Sequence, residues 1–88
     1  MKLSVREIIL AKNALISLES IGPAGVSEAA LIEQTALRSE VGLLTSIEAK
    51  ALMRLLVEKR WIERFTEPLT GSERWYLSED GRLASRAL

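Results

Sequence analysis

The chain has 88 residues, 48% of them apolar and 27% charged, so it is long enough to bury one small core and too apolar for a disordered tail. Cysteine and histidine are both absent, which removes disulfides, thiolate nucleophiles, imidazole bases and the usual zinc ligand sets. Lysines and arginines (12) balance aspartates and glutamates (12), so there is no global electrostatic footprint for nucleic acid.

No catalytic, metal or cofactor site is therefore expected, and the chain reads as a non-enzyme. No apolar run reaches transmembrane length, and Arg6, Glu7 and Lys12 interrupt the stretch where a signal peptide would need an unbroken apolar core. A single cytoplasmic domain over 1–88, with no membrane contact, is the expectation. Up to Ala49 acids outnumber bases; from Lys50 onward bases prevail slightly.

Ser4-Val5-Arg6-Glu7 fits a capping box, in which the serine oxygen and the glutamate three residues on satisfy free amides at a helix start. A first helix should run from about Val5 to before Gly22-Pro23, because proline lacks an amide donor and biases its predecessor away from helix. At helical pitch, Ile8, Ala11, Leu15 and Leu18 form one apolar stripe, Val5, Ile9 and Ile16 a second, and Leu10, Ala14 and Ile21 a third. Arg6, Asn13, Ser17 and Ser20 make the remaining polar wedge. A helix so apolar around its circumference exceeds what a small core can cover, which points to a dimer or a partner surface on it, and Leu3, Leu10, Ala14 and Ile21 are expected to form a homodimer interface.

Pro23-Ala24-Gly25 reads as a turn, and Ser27 caps a second helix over roughly 28–38 with Leu31, Ile32, Thr35 and Ala36 inward. A connection containing Gly42 leads to a second capping box, Thr45-Ser46-Ile47-Glu48, and a third helix to about Lys59. Ala49, Leu52, Met53 and Leu56 face its core; Lys50, Arg54 and Glu58 lie opposite, with Ile47 and Ala51 between. Trp61 to Phe65 and Glu73 to Leu77, separated by proline and glycine, read as a hairpin. Ser78 with Glu79 and Asp80 then opens a short last helix.

The segment Leu55-Leu56-Val57-Glu58-Lys59-Arg60-Trp61-Ile62-Glu63-Arg64, followed by Tyr76-Leu77-Ser78-Glu79-Asp80-Gly81-Arg82, resembles the recognition-helix end, wing and following helix of winged helix-turn-helix regulators of the MarR and PadR type. Small winged-helix proteins of Mu-like phages offer a second comparison in size. The resemblance implies a mainly α fold with a small β-hairpin: three helices, a two-stranded wing and a short C-terminal helix. It further implies a transcriptional regulator that reads duplex DNA with its third helix. Winged helices also serve protein interaction, as adaptors or phage-encoded inhibitors, and a protein partner is the alternative. Two departures stand out. Arg60 occupies a position usually held by glycine, and the wing between Phe65 and Glu73 has no basic residue but carries Glu67.

Transferred to this sequence, the resemblance puts Lys50, Ala51 and Arg54 on the groove-entering face, with arginine suited to guanine and lysine to phosphate. The same residues would also make an ordinary solvated face with an i,i+4 charge pair. Arg64 and Arg74 on the wing strands either grip the DNA backbone or pair across the strands with Glu63 or Glu73. Trp61 and Trp75 serve as a stacking platform or, more simply, as a plug between sheet and helices. Glu79 and Asp80 are read as helix-cap charges, not acid–base catalysts.

Overall fold

The structure is a computed structural model that describes residues 3–88; Met1 and Lys2 lie outside that range. The elements follow in the order α1 (Val5–Ile21), α2 (Glu28–Ser39), α3 (Ser46–Glu58), β1 (Ile62–Thr66), β2 (Glu73–Leu77) and α4 (Glu79–Ala87). The mainly α class with a two-stranded antiparallel wing is thus as expected.

Each helix starts where a side chain supplies its missing acceptor. The Ser4 hydroxyl accepts from the Glu7 amide at 3.1 Å while the Glu7 carboxylate accepts from the Ser4 amide at 3.0 Å, and Thr45 and Glu48 repeat the exchange at 3.1 and 3.2 Å. Ser27 caps α2 through the Ala30 amide and Ser78 caps α4 through the Gly81 amide. At its other end, α3 closes in a Schellman motif: Trp61 N–H donates to the Leu56 carbonyl and Arg60 N–H to that of Val57. Arg60 takes the left-handed position at φ 59°, the conformation that glycine adopts without penalty.

The wing register pairs Ile62 with Leu77, Arg64 with Trp75 and Thr66 with Glu73. Val26, which precedes α2, adds an isolated bridge to Trp75, with N–H···O bonds of 2.9 and 2.7 Å in the two directions. Sequence reading placed only a turn here, since a single bridging residue has no period to betray it. Gly25 makes the approach possible: its φ is 74°, and a Cβ would stand 2.7 Å from the Trp75 carbonyl oxygen. The start of α4 is fastened in turn by Ser78, whose hydroxyl donates to the Arg60 carbonyl at 2.7 Å and whose amide donates to that of Trp61 at 3.0 Å.

Helix α1 is the hub and contacts α2, α3, α4 and β2. Leu10, Ala11, Ala14, Leu15 and Leu18 are buried with Leu31, Leu52, Met53, Leu56 and Ile62, and both tryptophans pack against this cluster from its edge. The dimer-interface expectation for α1 needs correction. Leu10 and Ala14 are core residues of a single chain, leaving Leu3 half-buried and Ile21 at the edge of exposure, so these four residues do not form a free stripe. The polar wedge of α1 is partly drawn into the fold. Ser17 is buried and accepts from the Arg38 guanidinium at 3.0 Å, and Asn13 donates to Ser39 at 2.9 Å. Polar residues of α1 are consumed in seating α2, which frees a third apolar stripe to face the core.

Candidate nucleic-acid interface

Burial of Leu52, Met53 and Leu56 fixes the roll of α3, and Lys50, Ala51 and Arg54 are exposed on its other side. Among the described residues the ion pairs are Arg6–Glu48 and Arg64–Glu73, so no carboxylate holds Lys50 or Arg54. The i,i+4 pair with Glu58 does not form. Ile47, in the first turn of α3, is 81% exposed and borders this face. Lys59 and Arg60 add exposed positive charge at the helix end, where the pattern of a helix terminus carries no signal of a binding face.

The wing arginines are placed differently. Arg74 turns back into the fold, donating to the carbonyls of Ala24 at 3.0 Å and Gly25 at 3.2 Å, so it secures the turn that carries Val26. Arg64 lies 3.4 Å from Glu73 and its guanidinium stands 5.8 Å from the centre of the Trp75 ring. Both arginines are thus engaged within the chain. The wing tip closes through Glu67 N–H to the Ser72 carbonyl and Gly71 N–H to that of Glu67, each at 2.8 Å, and presents Leu69, 92% exposed, instead of a basic residue. Of the five residues singled out, Lys50, Ala51 and Arg54 share one accessible face, whereas Arg64 and Arg74 do not join it as free cations.

Helix α3 is steadied from α1. Arg6 meets Glu48 at 2.6 Å, and its hydrogen bond, ahead of the Thr45 amide, holds the Glu48 carboxyl below the usual glutamate range. Glu7 is lowered likewise by the Ser4 amide and hydroxyl. Among the described residues no cluster of acids is arranged to hold a metal ion, and no helix is long and apolar enough to cross a membrane.

The same architecture occurs in two solved structures. The MepR–DNA complex of S. aureus superposes with a TM-score of 0.66 at 18% identity, covering 97% of this chain and 53% of that one. F-93 of SSV1 superposes with a TM-score of 0.65 at 15% identity, covering 99% of this chain and 84% of that one. The fold is a winged helix-turn-helix. This chain spans about half the length of the MepR chain, and at such identities the likeness to both proteins is one of fold. No family model and no curated protein matches the sequence.

Proposed function

We propose that this winged helix binds duplex DNA through α3 and acts as a small cytoplasmic, homodimeric transcriptional regulator without a cofactor. One observation carries the reading: Lys50 and Arg54, a turn apart and held by no carboxylate among the described residues, share the exposed face of a helix whose other face is locked in the core. The fold shared with a protein solved in complex with DNA supports it. Arg54 would read a base edge, Lys50 would neutralise phosphate, and Ala51 leaves room for the helix to approach the groove. Arg64 and Arg74 would support the site indirectly, by holding the wing and the turn below it.

Fluorescence anisotropy with mixed duplexes at two salt concentrations, followed by site selection, tests this. Arg54→Ala should lose about 1–3 kcal/mol of preference for the selected site, whereas Lys50→Ala should weaken all duplexes alike and flatten the salt dependence by about one unit of slope. Binding that survives the double alanine unchanged, or no duplex binding at low salt, would overturn the reading. The alternative, a protein-interaction module used as an adaptor or inhibitor, draws on a different observation: the wing tip is apolar and acidic, with Leu69 exposed beside Glu67.

A further inference from the structure

A groove of about 760 Å³ runs between α2 and the connection leading into α3, with Ala49 of α3 also lining it. Ile32, Leu37 and Leu43 give it an apolar floor and wall, and Leu37 and Leu43 are 64% and 89% exposed. Leucines so open, gathered in one groove, form the kind of contiguous apolar surface that marks an interaction site. Its charged lining residues are Glu28, Glu33 and Glu40, with no lysine or arginine among them. The nearby Arg38 does not offset them, because its guanidinium is bonded to Ser17 and Ser20 on the α1 side.

We propose that this groove docks a basic amphipathic helix of another protein, with apolar side chains on the Ile32–Leu37–Leu43 surface and lysines or arginines against the three glutamates. The dimensions suit such an occupant. Glu28 opens α2 and Glu40 caps its end, twelve residues on, so the acidic rim extends over about 18 Å, or about three turns of a docked helix. Complementary charge fixes the sign of the partner and its register, while the leucines supply the area removed from water. Neither α4 nor the start of α1 in a second copy of this chain fits as well. The exposed face of α4 mixes Arg82 and Arg86 with Glu79 and Asp80, and Glu7 interrupts the exposed start of α1.

This inference does not depend on DNA binding and is tested without DNA. The probes are a helical peptide of about twelve residues with a leucine stripe flanked by lysines, and a twin with glutamate at every lysine. The lysine peptide should bind about tenfold or more tightly than its twin, with amide shifts confined to α2, residues 40–44 and the first turn of α3 around Ala49. The Leu37→Ser/Leu43→Ser pair should weaken it about tenfold, and Glu28→Lys/Glu33→Lys/Glu40→Lys should reverse the preference toward the acidic twin. Circular dichroism verifies that each variant is folded, and because all five positions are exposed, single substitutions replace any combination that is not. Equal binding of the two peptides, shifts elsewhere, or indifference to the substitutions would overturn the proposal. So would self-association that the leucine substitutions abolish, which would make a second copy the occupant.

Discussion

Arg60 shows how a single residue can be legible in kind and costly in place. The helix end demands a left-handed residue there, and an L side chain in that conformation costs about 1–2 kcal/mol. Glycine would remove that strain but lose more chain entropy on folding, so Arg60→Gly should raise stability by about 0.5–1 kcal/mol, measured as a shift in the urea midpoint at constant slope. Glu48 is a second instance. Its capping role could be read from the spacing, but the Arg6 contact joins residues 42 apart and could not. Because Arg6 and the Thr45 amide depress its folded-state pKa, Glu48 contributes stability that is present above the ordinary glutamate range and lost as pH falls through the lowered value. Arg6→Ala should move the Glu48 carboxyl resonance in an NMR titration upward toward that range. An unmoved midpoint would place the cause elsewhere.

At the scale of elements, boundaries were legible wherever a cap or breaker stood. Serine or threonine starts each helix, glycine and proline end α1, and the two aromatic runs pair in the wing. Ile62 lies at the start of β1 and is buried in the core, so Ile62→Ala should cost about 2–5 kcal/mol, as for other truncated core aliphatics, and lower Tm accordingly. An unchanged Tm would mean that β1 has the opposite register. Helix α1 was the element least legible, since three apolar stripes competed for one core. The structure buries the stripe of Leu10 and Ala14 and leaves Val5, at 75% exposure, and Ile9 at the surface. Self-association of the proposed homodimer through α1 would therefore use Val5 and Ile9. Ile9→Glu should then shift light-scattering mass to that of a monomer with helicity retained, whereas Leu10→Glu should unfold the chain because it buries a charge.

For the whole molecule, the sequence by itself determined the number and order of elements, the capped helix starts, the lack of cysteine and histidine chemistry, and the outward placement of Lys50 and Arg54. These depend on local hydrogen bonding and on the helical period, which neighbours along the chain decide. Only the tertiary structure decided which α1 stripes are core, that Arg74 and Arg64 are engaged within the fold, that Val26 bridges to Trp75, and that α2 and its following loop leave an acid-rimmed groove. Those outcomes depend on which surfaces meet across distant parts of the chain. An arginine on a strand has the same local pattern whether it faces solvent or, like Arg74, finds two backbone carbonyls 49 and 50 residues away.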